Sequence, residues 1–271
     1  SGFSRMMVGN FIHITAGTNW NTGWYEVLTY VSATQITVDR DASTTGSPTS
    51  GTYYVGGAAR FNSLEDAFYE MIPASSIVWS LGGATRTFSG AVSIASSNSG
   101  TNTQSWTMGY TTNRGDSCSN SSQPIFAFGA NACTFGGRQN FVNVTFTTTT
   151  AAGITLGTGA KAYGCRFFNT SSTASRIALT AGSSGDVFFS EAVSQNGIAF
   201  SVNSSIKMQG CYAHDSATGV SIAAAGVYLM DSIVEACDTA GILHSVTAPF
   251  IKNNTVYGSA GKKPTTGMSF T

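Results

Sequence analysis

From residue 153 onward, pairs of apolar side chains spaced i, i+2 recur every 21 to 26 residues behind a short anchor. The anchors are Gly153, Arg176, Gly197, Gly219, Gly241 and Gly267. The pairs are Ile154/Leu156, Ile177/Leu179, Ile198/Phe200, Val220/Ile222, Ile242/His244 and Met268/Phe270. A period of two within each segment means strand, because alternate side chains face one side. Recurrence at 20–50 residues means stacked units that share a core only with their neighbours. The pattern therefore predicts a solenoid of β-rungs, compact from about residue 141. A rung of about 22 residues at roughly 3.3 Å each suits three short strands joined by tight corners. Corner residues are polar or small, as in Asn169-Thr170-Ser171, Gln195-Asn196, His214-Asp215-Ser216 and Cys237-Asp238. Ile77–Ser80, Ala91–Ile94 and Ser105–Met108 read as earlier rungs with longer loops.

Residues 1–57 follow a different pattern. Phe11–Ile14, Trp24–Leu28, Gln35–Val38 and Thr52–Val55 alternate like strands, and turn clusters such as Thr44-Thr45-Gly46-Ser47-Pro48 separate them. This predicts a small antiparallel β-module, hinged at Gly56-Gly57, ahead of a solenoid over 58–271. One amphipathic helix is expected at about 63–72. Leu64, Ala67, Phe68, Met71 and Ile72 share a face, Glu65 and Asp66 suit its first turn, and Pro73 stops it. Such a helix would cap the open end of the first rung.

Composition supports strands and turns. Ser and Thr make up about a quarter of the chain, 31 residues are Gly, and only 10% are charged, with net charge zero. Phosphate backbones need a clustered positive field, so nucleic acid is excluded as an expected partner. No run of 18 apolar residues occurs, so membrane insertion by a helix is not expected. Five cysteines without a CxxC argue against zinc and against a full disulfide framework, although Cys118 with Cys133 would be possible. The sequence stops one residue after the core-type Phe270, which leads us to expect more chain or a partner over that end.

The helix-then-strand opening at 63–80, the segment Trp106 to Asp116 and the later rungs resemble right-handed parallel β-helix proteins of the pectate-lyase-like kind. Phe11–Ile14 through Gly57 is similar to the small β-module that precedes such helices in phage-like sequences. The resemblance covers nearly the whole chain. It implies an all-β, right-handed, single-stranded parallel β-helix with a capping helix. It further implies a setting among phage tail spikes, fibres and capsid-surface proteins, with a homotrimeric assembly. The corresponding function is host or glycan attachment on a virion surface or outside the cell, with no cofactor. A secreted polysaccharide lyase or glycoside hydrolase and a bacterial surface adhesin are the competing readings.

Sugar hydrolysis needs paired carboxylates. No acid occurs between Ser117 and Gly185, so a catalytic set would draw on Asp186, Glu191, Asp215, Asp231, Glu235 and Asp238. Glu191 and Glu235 lie at the same offset from anchors two rungs apart, about 9–10 Å by strand spacing. His214-Asp215 would suit a base with its orienting acid, and a turn equally well. His244 falls in a core column, to be accommodated by a bulge or an internal hydrogen bond. Trp20, Trp24 and Tyr53 are candidate binding aromatics, set against service in the core of their own module. Arg114-Gly115-Asp116 matches an adhesion tripeptide at a level expected by chance. No metal ligand set is evident.

Overall fold

The computed structural model describes residues 2–56, 77–83, 85–94, 105–112, 118–136, 138–182, 184–247, 249–259 and 261–270. The expected capping helix at 63–72, Gly57 of the expected Gly56-Gly57 hinge and the Arg114-Gly115-Asp116 tripeptide lie outside these residues, while Gly56 ends the strand Thr49–Gly56. No α-helix occurs among the described residues. The chain divides into two compact units, Ser1–Ser63 with Tyr110–Ser117 and Leu64–Gly109 with Cys118–Thr271.

The first unit carries the four-stranded antiparallel sheet that alternation predicted, ordered Gln35–Val38, Gly23–Ser32, Phe11–Thr18, Thr49–Gly56. Ile12, Ile14 and Tyr25 are buried on one face, with Phe3, Trp20, Ile36 and Val38 packed around them.

The second unit is a parallel β-solenoid of three eight-stranded sheets. The first sheet runs from Ile77–Leu81 to Phe250–Lys252, the second from Thr85–Thr87 to Thr255–Tyr257, and the third from Val92–Ile94 to Thr266–Phe270. Each coil visits the three in that order. Inward residues form one continuous core in the second unit. Phenylalanines dominate its early coils: Phe126 meets Phe146 edge-on at 5.6 Å, and Phe146 stacks on Phe167 at 5.1 Å. All five cysteines are free and buried. Burial pushes the Cys165 and Cys211 thiols up to about 12, which leaves them inert.

Register corrects the columns read from the sequence. Ile154 pairs with Leu179 and Phe200 with Val220, so the aligned column is Ile154, Leu179, Phe200, Val220, Ile242, Met268. The next is Leu156, Ala181, Val202, Ile222, His244, Phe270. The strands Ile177–Ala181 and Ile198–Val202 thus slide by two residues from the anchor-based alignment. A slip of two keeps every side chain on its face, so alternation alone cannot detect it. His244 points inward without a bulge, 7% exposed, with Nδ1 at 3.2 Å from the Val246 carbonyl oxygen.

Gly219 and Gly241 lie inside strands rather than at turns. Both are packing residues: a Cβ on Gly219 would sit 2.2 Å from Val234 Cγ1, and one on Gly241 2.3 Å from Val256 Cγ1. In the two preceding coils the small buried residues are Ala178 and Ala199, and the second sheet contributes Ala192 and Ala213 instead of valine. Gly219→Ala is expected to cost about 1–3 kcal/mol by overpacking. Adding Val234→Ala should recover part of that loss; urea titrations of the single and double variants would expose additive effects if the contact were absent.

The corner between the first and second sheets is built on one left-handed residue per coil. Its φ values are Asn143 54°, Gly164 60°, Phe189 50°, Gly210 64°, Asp231 51° and Asn253 54°. Backbone bonds repeat along it: Gly164 N–H donates to Phe188 O, Phe189 N–H to Gln209 O, and Gly210 N–H to Met230 O. Glycine, asparagine and aspartate suit this region. Phe189 does not, and a bulky side chain there costs on the order of 1–2 kcal/mol.

Candidate functional site

Parallel pairing aligns the outward side chains of the second sheet into two columns. One runs Arg166, Glu191, Tyr212, Ile233, Thr255, and the other Phe168, Val193, His214, Glu235, Tyr257. Arg166 and Glu191 are direct neighbours across the pair and form a two-point bridge, Nε–Oε2 2.8 Å and Nη2–Oε1 3.1 Å. His214 Nε2 lies 3.0 Å from Glu191 Oε1, and its Nδ1 lies 2.9 Å from Asp215 Oδ2. Asp215 reaches back because its own backbone is left-handed, φ 48°. Lys262 closes the chain with Nζ 3.2 Å from Asp215 Oδ1. The Tyr212 ring stacks on His214 at 4.3 Å. The Tyr212 and Tyr257 hydroxyls both donate to Glu235 Oε2, the latter at 2.7 Å.

The electrostatics follow from these bonds. Burial alone would raise Glu191, but hydrogen bonds from His214 and Arg166 overcome it and hold the carboxyl at about 2. Burial would lower His214, and the bonds to Glu191 and Asp215 reverse that, so its pKa is raised. Asp215 is lowered, first by His214 and then, against some burial, by Lys262. Burial and the Glu235 carboxylate push the Tyr212 phenol up. Glu235 is lowered by the two phenols.

With His214 charged, three cations (Arg166, His214, Lys262) balance three anions (Glu191, Asp215, Glu235), so the cluster is neutral. Both nitrogens of His214 and both oxygens of Glu191 are bonded within the cluster. A general base needs an open lone pair facing substrate, and His214, with both ring nitrogens bonded, offers none. In this arrangement the cluster links side chains from five successive coils.

The structure thus brings together three of the six sequence-derived acids, Glu191, Asp215 and Glu235, while Asp186 pairs with Lys161 at 3.3 Å. Asp231 sits instead on the first-to-second corner, where Gln209 Nε2 donates to Oδ2 at 3.0 Å and Asn253 Nδ2 to Oδ1 at 3.3 Å. Asp238 is exposed on the turn after the strand Ile233–Glu235. Arg166, Tyr212, Tyr257 and Lys262 were not legible as site members. The signal for the first three is their coil spacing: 166 to 191, 191 to 212, and 235 to 257 are each one coil.

Among the aromatic candidates of the first unit, Trp20 packs on the module core. Trp24 stacks on His13 at 4.0 Å, and Tyr53, 47% exposed, stacks on Phe3 at 6.0 Å. Trp20 therefore serves its own module, while Tyr53 remains accessible. The first sheet of the solenoid also turns rings outward: Tyr163 stacks on Phe188 at 5.2 Å and Tyr228 lies 5.5 Å from Phe250. Beside Tyr228, Ser184, Asp186, Ser205 and Lys207 line a shallow groove. No cluster of three or more metal-ligating side chains occurs among the described residues, and no helix there is long and apolar enough to cross a membrane.

Comparison with known proteins gave no match: no family model, no curated protein and no solved structure is significantly similar to the chain. The fold and the geometry above are therefore the basis for any functional reading.

Proposed function

We propose that this protein is an attachment rod: a β-solenoid of a virion surface, such as a tail spike, fibre or capsid-surface protein. It holds host-cell glycan along its outer faces, assembles as a homotrimer and uses no cofactor. The observation that carries this reading is the set of rings that a stiff parallel stack turns to solvent on its first sheet, its second sheet and the corner between them. Phe189, Tyr228, Phe250 and Tyr257 are 68%, 44%, 46% and 44% exposed. Rings fixed on a solenoid bind without a large ordering cost, since the scaffold is already rigid. The charge cluster of the second sheet supports binding over catalysis, because its titratable groups are bonded to one another.

A polysaccharide lyase or hydrolase is the second reading. It is favoured by one feature, the Glu235 carboxylate that takes two phenols on Oε2 beside His214, whose pKa is raised. The double variant Glu191→Gln, Glu235→Gln separates the two. The attachment reading expects no depolymerisation by the parent on a panel of capsular and acidic polysaccharides, and expects the variant to keep the parent's glycan affinity. Parent cleavage that the variant loses would overturn it. Light scattering of the parent should return three times the chain mass.

A further inference from the structure

We propose that Phe189 is a stacking platform for one pyranose ring of an extended, neutral polysaccharide that runs along the corner between the first and second sheets. This inference rests on the attachment reading and assigns it a place and a ligand class.

Four observations meet at this residue. First, Phe189 occupies the left-handed corner column, where every other position is Gly, Asn or Asp. A bulky residue held in that region is a strain that folding does not require, since asparagine occupies the equivalent corner twice. Second, the ring returns little burial for that strain, being 68% exposed, the most of any large apolar side chain among the described residues. Third, the neighbouring coils make room for it. Gly164 and Gly210 flank it, and a Cβ on Gly210 would come within 2.5 Å of the ring at Cδ1. The ring therefore lies against bare backbone, with its far side open. Fourth, polar groups stand two coils away on both sides, a separation of about 9–10 Å. On one side is the Asn143 amide, leaning over Gly164; on the other is Asp231, with Gln209 and Asn253 bonded to it.

A pyranose fits this layout. Its C–H face is apolar and slightly positive, which complements the negative face of an aromatic ring. Its hydroxyls hydrogen-bond amides and carboxylates such as those at both ends of the platform. A sugar carboxylate would meet Asp231 with like charge, which selects neutral chains over acidic ones. Two-coil spacing of the polar groups suits a chain lying along the solenoid axis, one sugar on the ring and its neighbours on the flanks.

The test uses the full chain and its Phe189→Ala and Phe189→Asn variants. All are screened on a glycan microarray and then titrated calorimetrically with cellohexaose, maltohexaose and a galacturonate hexamer. The parent is expected to bind neutral hexopyranose glycans, and both variants to lose at least tenfold in affinity with unchanged circular dichroism. Phe189→Asn should at the same time melt about 2–4 °C higher than the parent, because the corner strain is relieved. Undiminished binding by both variants would remove the platform while leaving the attachment reading intact. Binding only to acidic glycans would overturn the ligand class. A parent that binds no glycan at all would overturn both readings, and a Phe189→Asn variant no more stable than the parent would overturn the strain on which the assignment stands.

Discussion

Ile222→Asp is expected to abolish the cooperative unfolding transition of the solenoid. Ile222 is 1% exposed and pairs with Val202 on one side and His244 on the other. A carboxylate there loses the apolar contact and is buried in the stack, with His244 its one titratable neighbour in the column. The loss is expected to exceed about 5 kcal/mol, comparable with the entire stability of an ordinary domain. Two controls isolate the cause. Ile222→Val should cost only about 0.5–1.5 kcal/mol. Ser221→Asp, one residue earlier on the outward face, should stay within about 0.5 kcal/mol of the parent. Thermal melts followed by circular dichroism read all three. A normal melt for Ile222→Asp would mean that the register described above is wrong.

The charge cluster makes stability depend on pH in both directions. Glu191 is held at about 2 against an ordinary value of 4.5, so its contribution is complete above pH 4.5 and is lost as pH falls towards 2. With partial solvent screening this amounts to roughly 2–3 kcal/mol. His214 is raised above 6.5, so its contribution is complete below pH 6.5 and is lost as pH rises through the higher folded value. The two together place the maximum between pH 4.5 and 6.5. Glu191→Gln should flatten the acid limb. It should also weaken the alkaline limb, because His214 loses its first carboxylate. Denaturant titrations of parent and variant from pH 3 to 9 give the difference profile. A difference independent of pH would rule out the cluster as the source.

How much was legible beforehand differs from element to element. Phe11–Ile14, Trp24–Leu28 and Gln35–Val38 alternate cleanly and form strands of one antiparallel sheet. Gly23–Ser32 pairs with its two chain neighbours, which adjacent sequence specifies, whereas Phe11–Thr18 also takes the distant Thr49–Gly56. The solenoid was legible as a repeat, yet its columns were misaligned by two residues at Ile177 and Ile198. Here a slip of two costs nothing in polarity, and only volumes discriminate. Gly219 against Val234 shows how: the glycine belongs where the facing sheet carries the larger residue.

Side-chain chemistry was the least legible. Glu191, Asp215 and Glu235 stood out as acids, but what holds them did not. Arg166 is 25 residues before Glu191 in sequence and 2.8 Å from it in space. Lys262 is 47 residues beyond Asp215 and 3.2 Å away. Phe189 gave no signal at all, because the second of two adjacent phenylalanines before a serine is unremarkable until its backbone is seen to be left-handed.

The amino-acid sequence alone determined that this is an all-β chain with a small antiparallel module and a repeating parallel stack. Alternation and period are local properties, and water enforces them residue by residue. The tertiary structure decided which coil position meets which. It thereby closed a neutral charge cluster across the second sheet and left one strained ring exposed at a corner. Those outcomes depend on register between coils more than twenty residues apart, where packing volume and hydrogen-bond geometry, rather than polarity, select among arrangements with the same pattern.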